Sequence, residues 1–91
     1  MNFEFDSAKS AANLAKHGID FEAAKALWRD ERRYALASAY VGEAREVVIG
    51  MIGERLWAAA ITWRGDTIRI ISVRRARESE AREYERRKED D

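Results

Sequence analysis

The only histidine of the chain, His17, lies in the stretch "NLAKHGID", directly before Gly18 and directly after Lys16. An imidazole titrates in the range useful for general acid–base work, and an adjacent ammonium either contacts a phosphate or lowers the imidazole pKa. The competing reading is structural, because a histidine in the last turn of a helix is favoured by the helix dipole. A second set of chemically useful residues follows later. From Arg64 to Arg77 there are five arginines, Arg64, Arg69, Arg74, Arg75 and Arg77, against one acid, Asp66, a local charge of +4. Arg69 and Arg74 fall in and at the end of an apparent strand, where a rigid backbone can fix a guanidinium against a phosphate. Arg75 adds a further cation beside them. Pairing of these arginines with Glu43, Glu46 or the C-terminal acids is the plain alternative.

These residues need elements to hold them. "NFEF" alternates Phe3 and Phe5 with polar residues and reads as a short first strand. Asp6 or Ser7 then caps a helix in which Ala8, Ala11, Ala12 and Ala15 form a small-residue face suited to close packing. The opposite stripe carries Lys9, Asn13 and Lys16, with His17 at its end, so it forms either a solvated face or the rim of a nucleic-acid groove. Gly18 closes this helix, and Asp20 caps a second one running to about Trp28, anchored by Leu27 and Trp28.

Four strand-like stretches follow, "YALASAY", "REVVIGMI", "RLWAAAITW" and "TIRIISVR", separated by "VGE", "GE" and "RGD". Such short glycine-containing connections predict a four-stranded antiparallel meander. Trp57, Ala59, Ile61 and Trp63 share one face by alternation, as do Ile68 and Ile70, whereas Arg69 alternates with Ile71 and Val73. The second face of the last strand therefore reads as partly apolar and open to a partner. The final "ARESEAREYERRKEDD" has helical composition, Glu78–Arg82 and Glu83–Arg87 pairs, and Tyr84 as its docking residue; residues from about 85 to 91 are expected to fray.

The expected whole is an α+β fold in a single domain over residues 1–91. The chain has no cysteine, which removes thiolate chemistry and cysteine-ligated metals and leaves a reducing compartment compatible. Seventeen basic and seventeen acidic residues give a formal net charge of zero, which argues against a general nucleic-acid coat but not against a local phosphate site. The charged start and the absence of a long apolar run read as a soluble cytoplasmic protein with no membrane partner.

Taken together, "FEFDSAKSAANLAKHGIDFEAA", "GEAREVVIG", "IRIISVRRA" and "EAREY" resemble the BrnT family of ribonuclease toxins from bacterial type II toxin–antitoxin pairs, over about Phe3 to Tyr84. The chain departs from the usual family pattern at Phe5-Asp6-Ser7, in place of Trp-Asp-Pro, and at Val73, in place of alanine. The resemblance implies a RelE-like fold, endoribonuclease activity without a metal or other cofactor, an RNA substrate, and a cognate antitoxin whose dimer binds DNA. It brings Arg45, otherwise a surface partner for Glu43, onto the list of RNA contacts. On this reading His17 is the general acid or base, Lys16, Arg69 and Arg74 complete the catalytic group, and Lys9, Asn13, Arg45 and Arg75 contact RNA. Two other classes remain open: a protein-interaction module without catalysis, distinguished by dispersal of these residues, and a nucleic-acid-binding protein that leaves RNA intact.

Overall fold

A computed structural model describes residues 1–38 and 44–90. The "VGE" connection lies outside these residues. The element order is β1 (Asn2–Glu4), α1 (Ser7–His17), α2 (Phe21–Ala24) running into a 3₁₀ turn (Lys25–Arg29), β2 (Tyr34–Ser38), β3 (Arg45–Ile52), β4 (Arg55–Arg64), β5 (Thr67–Arg75) and α3 (Glu78–Glu89). No helix among the described residues is long and apolar enough to cross a membrane.

The α+β class is as expected, but the sheet is five-stranded and mixed, in the order β1-β5-β4-β3-β2. Strands β2 to β5 are antiparallel neighbours, and β1 adds to the far edge parallel to β5, pairing Phe3 with Ile68 and Glu4 with Arg69. The physical reason lies in the first six residues. Phe3 and Phe5 require an apolar surface, and the free edge of β5 lets both rings join the core beneath the first helices while β1 obtains ladder hydrogen bonds. The two tight hairpins close through Gly53 and Gly65, each at the first loop position with φ near 60°, a conformation that a side chain disfavours.

One face of the sheet packs Val48, Trp57, Ala59, Ile61, Ile68, Ile70 and Val73 against Ile19, Phe21, Ala24 and Leu27. The other face packs Tyr34, Ile49 and Ala58 against Tyr84 of α3. Val73 does not share the face of Arg69, contrary to simple alternation. A β-bulge shifts the register between the Ala60–Ser72 and Ile61–Ile70 pairs, so Ile71 is the extra residue and Val73 returns to the face of Ile68 and Ile70. Trp63 also departs from expectation: it follows Ile61 in alternation but is 49% exposed at the end of the sheet, beyond the cover of the helices.

Helix α1 is turned over relative to its expected orientation. Asp6 caps it by accepting hydrogen bonds from the Ala8 and Lys9 N–H groups, and Gly18 ends it with φ of 81°. However, Ala8, Ala11, Ala12 and Ala15 are exposed, and the buried residues are Ser10 and Asn13. The helix lies against backbone rather than side chains. The Phe21 N–H donates to Ser10 Oγ at 2.9 Å, and the Asn13 amide donates to the carbonyls of Ile19 and Val73, at 2.8 and 2.9 Å, while accepting from the Val73 N–H at 3.1 Å. Backbone groups buried at a strand edge must be satisfied, and only polar side chains supply the partners.

Helix α3 is held by polar anchors. Tyr84 donates to Asp30 Oδ2 at 2.7 Å, and Tyr34 donates to the Glu80 carbonyl at 2.7 Å. Burial and the adjacent Asp30 carboxylate push the Tyr84 hydroxyl up to about 12. Asp30 Oδ2 also accepts from the Met51 N–H, an approach allowed by Gly50, where a Cβ would lie 2.9 Å from Leu27 Cδ2 and 3.3 Å from Asp30 Oδ2. The expected Glu78–Arg82 and Glu83–Arg87 pairs are both present, and the helix continues to Glu89.

Candidate nucleic-acid interface

On the face of the sheet that carries α3, the helix covers only one end. At the other end, β3, β4 and β5 present Arg45, Thr62, Arg64, Arg69 and Ile71, and α1 contributes Lys9 from the sheet edge. Among the described residues, these six line a hollow of about 190 Å³. Four are cationic. Parity explains their convergence: Arg45 lies on the opposite side of β3 from Glu46 and the buried Val48, Thr62 and Arg64 alternate with Ile61, and Arg69 alternates with Ile68 and Ile70. The Thr62 hydroxyl donates to the Ala44 carbonyl at 2.9 Å, which ties the start of β3, and hence Arg45, to β4.

Arg69 is paired across β1–β5 with Glu4, Nη1 to Oε2 at 2.7 Å, and both side chains remain partly exposed. Asp6 stands at the nearby start of α1. Hydrogen bonds from the Lys9 and Ala8 N–H groups hold its carboxyl below the usual range, assisted by the charges of Lys9 and Arg69. The hollow thus combines several guanidinium groups, one ammonium and a carboxylate at its margin. Such an arrangement can grip a phosphate bidentately, supply cations to a developing negative charge, and exchange protons through Lys9 or Glu4.

The residues singled out in the sequence are distributed over three places. Lys9, Arg45 and Arg69 meet in the hollow. Asn13, expected on an exposed rim, is buried and occupied by backbone, because it replaces the ladder partner that β5 lacks beyond Arg69. Lys16 is exposed and His17 half-buried in the last turn of α1. The separation of eight positions between Lys9 and His17 corresponds to about 12 Å of helix at ~1.5 Å per residue, and His17 does not line the hollow.

Arg74 shares the sheet face of Arg69 but lies under the start of α3. Their β4 partners, Ala58 and Thr62, are four residues apart, about 13 Å at ~3.3 Å per residue. Both Arg74 Nη atoms bond the Glu80 carboxylate, at 2.8 and 3.0 Å. This bidentate bond raises the guanidinium pKa and, with the Arg77 N–H, holds the Glu80 carboxyl below its usual range despite burial. Arg75 points to the opposite face, its Cζ 5.5 Å from the Trp57 ring centroid. Arg64, Thr62 and Glu4 were missed. Arg64 was visible only as part of a charge excess next to a turn, and Glu4 acquires its place through the unforeseen β1–β5 pairing.

The chain is thus a small α+β protein with a cationic hollow at the open end of its sheet. The family model for the ribonuclease toxin BrnT of type II toxin–antitoxin systems matches residues 5–80, and the chain belongs to this family. This membership implies a ribonuclease toxin, an RNA target and a cognate antitoxin. No curated protein matches the chain.

Proposed function

We propose that this chain is a metal-independent endoribonuclease whose cleavage site is the hollow formed by Lys9, Arg45, Arg64 and Arg69. The observation that supports this reading is the convergence of four cations from three strands and one helix at the uncovered end of a rigid sheet. In RNA cleavage by the 2′-hydroxyl, negative charge grows on the phosphorane oxygens, and preorganised guanidinium groups stabilise it more in the transition state than in the ground state. The protein's own cations supply the charge that a metal would otherwise bring. The proposal includes the RelE-like relationship, a single functional domain, action in the cytoplasm, and neutralisation by an antitoxin whose dimer binds DNA.

A second reading assigns proton transfer to His17. Its half-buried ring on the same α1 face as Asn13, which grips β5 at Val73, favours it. RNA in the hollow would then extend along α1 past Lys16, and Arg74 would act by exchanging Glu80 for phosphate.

The test of the activity itself is incubation of the purified chain with labelled single-stranded RNA in EDTA. The expected result is cleavage that leaves 2′,3′-cyclic or 3′-phosphate and 5′-hydroxyl ends. Cleavage abolished by chelation and restored by a divalent ion would contradict the metal-free mechanism, and intact RNA bound in a salt-sensitive manner would favour a binding module.

A further inference from the structure

A metal-free cleavage of this kind requires a base near the scissile phosphate, and guanidinium groups cannot serve, since they remain protonated in proteins. Apart from Lys9, which is cationic, the described residues that line the hollow offer no proton acceptor of the right kind. Immediately at its β1 margin, however, stands a carboxylate. Glu4 faces away from the Phe3 and Phe5 rings, lies opposite Arg69 in the parallel β1–β5 register, and holds Oε2 2.7 Å from Arg69 Nη1. Its side chain is 39% exposed, so one contact with Arg69 leaves it open to a ligand.

We infer that Glu4 is the general base of the reaction and that its pairing with Arg69 sets base and phosphate clamp side by side. The inference rests on the ribonuclease reading above. The 2′-hydroxyl gives its proton to the Glu4 carboxylate as the O2′–P bond forms. The P–O5′ bond breaks, and O5′ takes a proton from the Lys9 ammonium, among the described residues the one cation of the hollow able to release one. The products are a 2′,3′-cyclic phosphate and a 5′-hydroxyl, and Glu4 and Lys9 recover their states by exchange with water. Arg69, bonded to Glu4 before substrate arrives, turns its remaining N–H donors to the phosphate oxygens. Among the described residues, Glu4 contacts Arg69 on β5, the hollow that Arg69 lines also holds Arg64 on β4, Arg45 on β3 and Lys9 on α1, and Asp6 at the start of α1 feels the charges of Lys9 and Arg69.

The experiment compares Glu4→Gln and Glu4→Asp with the unchanged chain. It measures cleavage of single-stranded RNA as a function of pH, binding of a 2′-O-methyl RNA that cannot be cleaved, and thermal melting. Glu4→Gln is expected to lower kcat by about 10²–10⁴-fold, the usual range for loss of a general base. Binding of the 2′-O-methyl RNA should stay the same or tighten, and the fall in rate at low pH should disappear. Glu4→Asp should retain part of the rate and keep that pH dependence, and it remains informative if Glu4→Gln does not fold. Undiminished cleavage by Glu4→Gln would overturn the inference while leaving the ribonuclease reading intact. Loss of rate in step with loss of 2′-O-methyl RNA binding, with the acid limb retained, would also overturn it, since Glu4 would then only position Arg69. Absence of cleavage by the unchanged chain would overturn both.

Discussion

Asn13 on α1 and Val73 on β5 are joined by two hydrogen bonds, the side-chain amide donating to the Val73 carbonyl at 2.9 Å and its oxygen accepting from the Val73 N–H at 3.1 Å. One side chain thereby does what a sixth strand would do for the edge of β5 and fixes α1, with Lys9, relative to the strand that carries Arg69.

Replacing Asn13 with alanine leaves a buried N–H and two buried carbonyls, those of Val73 and Ile19, without these partners. The expected loss is about 2–4 kcal/mol of stability, given ~1–3 kcal/mol for an unsatisfied buried group and partial access of water. Urea unfolding provides the measurement. A loss below about 0.5 kcal/mol would mean that the edge of β5 is satisfied in another way.

Arg74 and Glu80 provide a prediction with a defined pH dependence. Because the Arg74 guanidinium lowers the carboxyl pKa of Glu80 in the folded chain, the pair stabilises the fold above the ordinary glutamate value of 4.5, and this contribution disappears as the pH falls through the depressed folded value. Arg74→Ala is expected to cost about 1–2 kcal/mol at pH 7 and clearly less at pH 3. Asp30, whose carboxyl is also lowered, loses its contribution in a similar window in both proteins and cancels from the comparison. Denaturant midpoints at the two pH values decide it. If cleavage per folded molecule falls sharply while stability is unchanged at both, Arg74 acts on RNA rather than on α3.

The class of fold and most elements follow from local signals: Asp6, Gly18, Asp20, Gly53 and Gly65 mark caps and turns, and Tyr84 marks the docking face of α3. What escaped local reading depends on contacts distant in sequence. The orientation of α1 was set by unsatisfied backbone on β5 and after Gly18, which periodicity of apolar residues does not reveal. The bulge at Ile71 reversed the alternation that assigned Val73 to the outer face. Lys9, Arg45 and Arg69 were identifiable as basic residues of suitable type, yet their convergence, and the roles proposed for Arg64 and Glu4, required the strand order.

If the antitoxin neutralises this chain by covering the hollow, RNA and antitoxin compete for one surface. Its contacts are expected to place acidic groups near Arg45, Arg64 and Arg69 and an apolar group against Ile71. Titration of the antitoxin into a complex of the chain with 2′-O-methyl RNA should release the RNA. A ternary complex with both affinities unchanged would contradict a shared surface.

The most direct test of the central claim, that the hollow is the cleavage site, is the cleavage rate of the double variant Arg64→Ala/Arg69→Ala in EDTA, measured beside its melting curve. Both residues lie at a partly open sheet end, so the fold should survive with a loss of about 1 kcal/mol or less. The account predicts a fall in kcat/KM of at least about 10²-fold, in line with ~2.7–4 kcal/mol for one well-placed donor to a developing anion, and a shallower salt dependence of RNA binding. Cleavage by the folded double variant at the rate of the unchanged chain would contradict it.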